Sequence, residues 1–426
     1  MKIIYLCLLL LVSGFNSFGQ NIIDHILNIK IDSIAKVDVE QNGYFIYIPS
    51  TFAQSKIKGT DQIKFLKDKT VLSINLVYSA YKESIDFDQK KLNQRRLNQF
   101  KKHARFLFDN NRIVWKQTCQ LEGNTLAESK KLFHGYQIKY LPAPSAEKSR
   151  KEIQSIKTIL ENAKAYNAYL DSLSALEVID SSKIIIKSRW DDKIGFVADT
   201  MYGDFYEVKK VVAPVALPDT TVKSVLERNQ WNNMIIVSDV TASMNTYTSQ
   251  LLLWYQNWID TRRIKSFLFF NDGNTKPNAL KRIGTTGGIY YVNAETQESV
   301  LKIMENTMLR GHGGDAVEND VEAILRALEY AKNMDEIILI ADNKSDMRDF
   351  DLMFNIQRPV RVIICGNPNA INPQYLMLAR ATKGSVHTST HDIYNLNQYI
   401  NGAKFKIGDA MYSFEKGMFK AIYSSN

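Results

Sequence analysis

Apolar residues follow different rhythms along this chain, and the pattern changes at the proline-bearing stretch VVAPVALPDT, 211–220. Beyond it, the continuous apolar runs 234–237, 266–270, 337–340 and 360–364 predict strands buried on both faces. Between these runs apolar positions return every three or four residues. Segment 247–259 carries Leu251, Leu252, Trp254, Tyr255, Trp258 and Ile259, and 296–309 carries Val300, Leu301, Ile303, Met304 and Met308. Segment 316–332 carries Val317, Val321, Ile324, Leu325 and Leu328, and all three spacings predict helices. Strand and helix in alternation predict a doubly wound, mostly parallel α/β sheet with helices on both faces. GTTGGIYYV, 284–292, adds an edge strand, GSVHTS, 384–389, a last one, and the chain from Lys404 reads as a short β-rich appendage.

The first half reads as an α+β region. YFIYIP (44–49), VLSINLVYSAY (71–81), RIVWKQT (112–118) and YQIKYLP (136–142) are strand-like. Residues 86–108 predict a basic helix containing Arg95, Arg96, Lys101, Lys102 and Arg105. A longer helix, 146–178, places Ile153, Ile156, Leu160, Ala163, Tyr166, Leu170 and Leu173 on one stripe. That stripe suits packing on another helix, within its own domain or as a coiled-coil dimer seam. The resulting division is a signal segment 1–19, an α+β region 20–212, a linker 213–231, an α/β domain 232–400 and the appendage 401–426.

Charge and cysteine content narrow the setting. The net charge of +9 sits in the first half: residues 21–220 hold 31 basic and 24 acidic side chains, residues 221–426 hold 22 and 21. Three cysteines exclude a disulfide-rich module or a thiolate metal cluster. Lys2, an apolar run from Ile3 to Val12 and the small residues Ser17 and Gly19 describe an export signal, too short to span a bilayer stably. The expected location is therefore the periplasm or the cell surface. Of the cysteines, Cys7 lies in that run, and Cys119 and Cys365 read as free thiols in different domains. The basic helix 86–108 offers a face to an envelope or membrane surface, with an ordinary solvated helix face as the alternative; export and modest charge density disfavour nucleic acid.

In an open α/β sheet, ligands bind beyond the carboxyl ends of the strands, where strand order reverses. After the strand at 234–237 the chain reads Ser238-Asp239-Val240-Thr241-Ala242-Ser243-Met244, so a carboxylate and two hydroxyls occupy alternate positions of one turn. Such hard oxygen donors suit Mg2+, and Mn2+ or Ca2+ less well. A second strand-end carboxylate, Asp342, follows the run at 337–340. Between them Gly311-His312-Gly313-Gly314-Asp315-Ala316-Val317-Glu318 allows close backbone approach and makes Asp315 a third carboxylate.

With these residues in view, 232–400 resembles a von Willebrand factor A domain, a Rossmann-like fold. DVTASM, 239–244, is similar to that family's metal-ion-dependent adhesion site, written Asp-x-Ser/Thr-x-Ser. The resemblance implies Thr241 and Ser243 as direct ligands and Asp239 and Asp342 as close, partly water-mediated ones. It covers about 170 of 426 residues, and the first half resembles no family. The middle loop departs from the usual Thr by offering Asp315, a GGD-x-x-E variant that adds negative charge around the ion.

Alternatives stand beside this metal set. Asp315 with Glu318 also reads as a capping box opening the 316–332 helix. Thr285, Thr286 and Thr307 are rival middle-loop donors, and His312, His387 and His391 read as structural or solvent-facing. Phosphate-cradling GxxxxGK[ST], HExxH and GxSxG patterns are absent, so no catalytic residue is assigned. The expectation is a non-enzymatic binding module in which Mg2+ takes an acidic side chain from another protein. A cell-envelope scaffold with a structural metal is the alternative, followed by a hydrolase within the first half.

Overall fold

A computed structural model of the chain describes residues 17–39, 44–82, 84–141, 145–174, 184–191, 195–202, 219–311, 317–367 and 370–422, with the backbone alone at 17–21, 68, 169–202 and 260. The export segment up to residue 16 lies outside the described residues, and helix α1 (Ser17–Asn28) crosses its predicted end. Ile22, Ile23 and Ile26 of α1 are buried in the first core.

That core belongs to a sheet of β1 (Ile31–Ile34), β2 (Phe45–Pro49), β3 (Val71–Ser79), β4 (Val114–Gln120) and β5 (Gly135–Tyr140), ordered β1-β4-β3-β5-β2. β3 and β4 run parallel, so the chain crosses between them through helix α2 (Gln89–His103). Asp88 caps α2 by accepting from the Lys91 backbone N–H at 2.9 Å. The helix is not basic all round. Arg96 is only 1% exposed and donates from Nε to the Gln54 carbonyl at 2.9 Å, so its charge faces inward.

Helix α3 (Ala146–Ser174) corrects one expectation. Its stripe of Ile153, Ile156 and Leu160 is buried in a core shared with Leu251, Trp254 and Met304 of the following α/β unit, not within the α+β region. Lys157–Glu305 at 2.6 Å and Asn167–Asn257 at 3.3 Å run along the same junction. Next come an antiparallel hairpin, β6 (Ile184–Asp191) and β7 (Gly195–Tyr202), and helix α4 (Thr221–Asn229), which lies within the segment read as linker. α4 buries Val222, Val225 and Leu226 in the same core as α3.

The second unit contains β8 (Met234–Asp239), helix α5 (Asn245–Trp258), β9 (Ile264–Phe270), β10 (Ile289–Asn293), helix α6 (Gln297–Arg310) and β11 (Val317–Glu318). It continues with helix α7 (Asp320–Tyr330), β12 (Glu336–Asp342), β13 (Asp346–Met347), β14 (Val360–Cys365), helix α8 (Pro373–Ala381), β15 (Ser385–His387) and β16 (Asp392–Ile393). The main sheet is ordered β10-β9-β8-β12-β14-β15-β16, with five parallel inner strands and antiparallel edges. Its apolar runs feed two cores: Ile235, Val237, Ile337 and Leu339 face one, Met234, Ile236, Ile338 and Ile340 the other. Burial on both faces is why these strands read as continuous rather than alternating.

The predicted helix 316–332 begins later. Val317–Glu318 instead pairs as a strand with Asp346–Met347, and Asn319 precedes the helix. Glu318 therefore lies ahead of Asn319, the N-cap of the helix, and is not the helical partner of a capping box. Strands β17 (Lys404–Ile407), β18 (Ala410–Glu415) and β19 (Met418–Ile422) form a closing antiparallel sheet. Tyr412, Phe414 and Phe419 join the α/β core, and Tyr412 Oη donates to the Ile371 carbonyl at 3.0 Å. Cys119 and Cys365 are free thiols. Among the described residues no helix is long and apolar enough to cross a membrane.

Candidate metal site at the carboxyl end of the sheet

The chain leaves β8 for β9 and β10 on one side and returns to β12 on the other, so strand order reverses between β8 and β12. Their ladder pairs Ser238 with Ile340, one residue short of Asp239 and two short of Asp342. Two carboxylates a hundred positions apart in sequence therefore end neighbouring strands at the switch point. The same local turn follows each. Asp239 Oδ1 accepts from the Thr241 backbone N–H, and Asp342 Oδ1 from that of Lys344, both at 2.7 Å. These Asx-type bonds commit one oxygen of each carboxylate to the backbone. Of the remaining oxygens, Asp239 Oδ2 accepts from Thr241 Oγ1 at 3.0 Å, whereas Asp342 Oδ2 is buried without a partner. Ser243 Oγ lies 3.3 Å from Thr241 Oγ1. Asp239, Thr241, Ser243 and Asp342 are thus gathered; Asp315 and His312 lie outside the described residues.

More carboxylates surround this point than the motif indicates. Burial, followed by the charges of Asp342 and Asp272, pushes Asp239 up to about 7 against the hydrogen bonds from Thr241. Glu318 is held well above the usual carboxylate range by burial and by the charges of Asp239, Asp272, Asp320 and Asp342. Asp320, at the start of α7, is raised by burial, then by Asp349 and Asp239. Glu318 Oε2, Asp320 Oδ1 and Asp349 Oδ1 are also buried without partners. Asp272 differs in having cationic partners, Lys281 at 2.6 Å and Arg348 at 3.1 Å. Among the described residues no three His, Cys, Asp or Glu side chains form a metal-holding group. The donor set gathered at the switch point has two carboxylates and two hydroxyls.

Sequence reasoning assigned Glu318 to a cap and passed over Asp272, Asp320 and Asp349. A signal existed for Asp272, since Asn271-Asp272 follows the predicted strand at 266–270 just as Asp239 follows its own. The rival hydroxyls are engaged elsewhere. Thr286 donates from its backbone N–H and Oγ1 to Glu322, Thr307 Oγ1 donates to the Ile303 carbonyl, and Thr285 Oγ1 points to the Arg282 carbonyl.

A second polar line lies on β15. Ser385 Oγ is 2.7 Å from His387 Nε2, and His387 Nδ1 is 2.7 Å from Asp392 Oδ1. Its order matches a nucleophile–base–orienter triad, but Ser385 and His387 are both 0% exposed and the Trp231 ring stands edge-on to the imidazole. No reacting atom reaches a hydroxyl so enclosed, and the line is a structural clamp between β15 and β16. Burial lowers the His387 pKa to about 4 against the opposing pull of Asp392. From about pH 6.5 down to pH 4 the unfolded imidazole takes a proton that the folded one refuses, so its contribution to stability falls as pH falls. The unfolding penalty of His387→Gln is accordingly expected to be about 3 kcal/mol larger at pH 7 than at pH 4. Equal penalties in urea titrations at the two pH values would refute this assignment.

No family model matches the chain, and neither the curated proteins nor the solved structures compared with it include a match.

Proposed function

We propose that residues 232–400 form a von Willebrand factor A-type module that binds Mg2+ through Asp239, Thr241, Ser243, Asp342 and Asp315 and takes up an acidic side chain of another protein there. The observation that carries this reading is the buried, unpartnered Asp342 Oδ2 beside Asp239 at the point where strand order reverses. Elsewhere in the core a polar atom left so costs free energy, and a hard cation is the partner that an all-oxygen donor set suits. When bound, the ion supplies a Lewis-acidic position for an incoming carboxylate. Thr241 and Ser243 would hold the ion through their hydroxyls, and Asp239 and Asp342, each tethered to its own turn, would lend charge. The neighbouring Glu318 and Asp320 favour cation binding and at the same time reduce the net positive charge left for a partner. Export to the periplasm or cell surface through residues 1–19 belongs to the same proposal.

Isothermal titration with Mg2+ tests the site, and a saturable heat is expected. Asp315→Ala should weaken the affinity about tenfold, a loss of about 1.4 kcal/mol. Unchanged affinity removes Asp315 from the ligand set, and no heat from the wild-type protein removes the ion altogether. A second reading, a scaffold with a structural ion, has one observation in its favour: α3 and the closing sheet are built into the cores of the α/β unit. Partner binding retained by a folded Asp239→Ala variant would select it.

A further inference from the structure

The two units meet at a cleft of about 570 Å³, which lies beside the candidate metal site and contains none of its proposed ligands. Its α/β wall includes Lys344, whose backbone N–H holds Asp342, and Val317, the neighbour of Glu318. Its opposite wall comes from the α+β sheet region and includes Lys67, Lys69 and Arg112; Lys420 of the closing sheet completes the rim. The walls are fixed to each other. Arg112 reaches Asp346 at 2.6 Å with a side chain only 10% exposed, and Asn111 Nδ2 donates to the Ile371 carbonyl at 3.5 Å.

Charge in the cleft does not balance. Asp346 is spent on Arg112, and Asp109, the other acid of the lining, pairs with Arg105 at 3.4 Å. Lys67, Lys69, Lys344 and Lys420 therefore leave a net positive rim contributed by both walls. Lys69 rests over the Phe65 ring and Lys420 is 3.9 Å from Glu415, so Lys67 and Lys344 are the best placed to meet a ligand. Beneath the rim the floor is apolar, with Val71, Leu107 and Phe419 buried from three different elements. The volume lies in the range of binding clefts, about 300–1,000 Å³.

We infer that this cleft is a docking groove for a short acidic segment of a partner protein, with carboxylates on the lysine rim and an apolar side chain on the floor. A mixed lining of this kind matches a peptide better than an inorganic anion, which would leave the floor unmatched. The groove works through its own residues and does not depend on Mg2+ binding at Asp239 and Asp342.

The test is fluorescence anisotropy of a fluorescein-labelled peptide of alternating Glu and Leu, titrated with the full chain in EDTA and again in Mg2+. A peptide of alternating Lys and Leu serves as control. Saturable binding of the acidic peptide in EDTA is expected, weakening as salt is added. Lys67→Glu with Lys344→Glu should weaken it at least about tenfold, and the corresponding double Gln variant by less. Both variants must retain the wild-type near-ultraviolet circular dichroism, and the Gln pair decides if the Glu pair does not. Equal binding of the Lys peptide, full competition by inorganic phosphate, binding that appears only with Mg2+, or affinity unmoved by the lysine variants would each overturn the inference. Magnesium titration reads the metal site separately, so either proposal can fail while the other stands.

Discussion

Asp342→Asn is expected to make the metal-free protein more stable and to abolish the stabilisation that Mg2+ confers. The two halves of this result share one cause. The Asp342 charge lies in a buried pocket where it raises the proton affinity of Asp239 and Glu318, so removing it relieves repulsion on the order of 1 kcal/mol. Asparagine keeps an oxygen for the Lys344 backbone N–H, so the turn after β12 survives. In the wild-type protein an ion that binds only the folded state adds about 2.7 kcal/mol at a hundredfold excess over its Kd. For a unit of this size that raises Tm by about 5–10 °C. Differential scanning fluorimetry with and without Mg2+ checks both halves. An Asp342→Asn variant stabilised by Mg2+ as strongly as wild type would place the ion elsewhere.

Ile156→Ala should cost about 3 kcal/mol of stability, the usual range for emptying a fully buried branched side chain. Ile156 is 0% exposed and shares its core across the junction with Leu251, Trp254 and Met304. Because these belong to α5 and α6, the loss should register in Trp fluorescence reporting on the α/β unit. It should be independent of protein concentration, as expected for packing within one chain. A dimer seam behaves differently: stability would rise with concentration and the variant would sediment as a smaller species. Urea unfolding at two concentrations together with analytical ultracentrifugation separates the two.

The long buried strands and two of the helices of the second unit were legible because their physics is local. Runs such as Ile235-Ile236-Val237 and Ile338-Leu339-Ile340 are short, rich in β-branched residues and apolar on both faces, a pattern that suits a strand covered on both sides. The periodic helices 245–258 and 297–310 match expectation within two residues at either end. Segment 316–332 misled because Val317 happens to continue the helical spacing of Val321 and Ile324, while the ladder with Asp346–Met347 claims it for a strand. Pairing of that kind depends on residues about thirty positions away, which no local window contains. The hairpin β6–β7 went unseen although the strand-type residues Ile184-Ile185-Ile186 and Phe196-Val197 flank Asp191, Asp192 and Gly195, a turn signal between two runs.

The candidate site divides in the same way. Asp239, Thr241 and Ser243 were visible because they lie within one turn of chain, and Asp342 because it too ends an apolar run. Glu318, Asp320 and Asp349 became part of the picture only through burial, which removes solvent screening and lets each charge act on the next.

By itself, then, the amino-acid order determined the long buried strands and most of the long helices, where hard oxygen donors follow a strand, and that positive charge gathers in the first half. Tertiary structure alone decided that β12 lies against β8, that α3 packs on α5 and α6, and that the regions of the two large sheets enclose a lysine-rimmed cleft. The reason is range: backbone preference and amphipathic period are set by neighbours in sequence, whereas proximity, desolvation and charge coupling are set by neighbours in space.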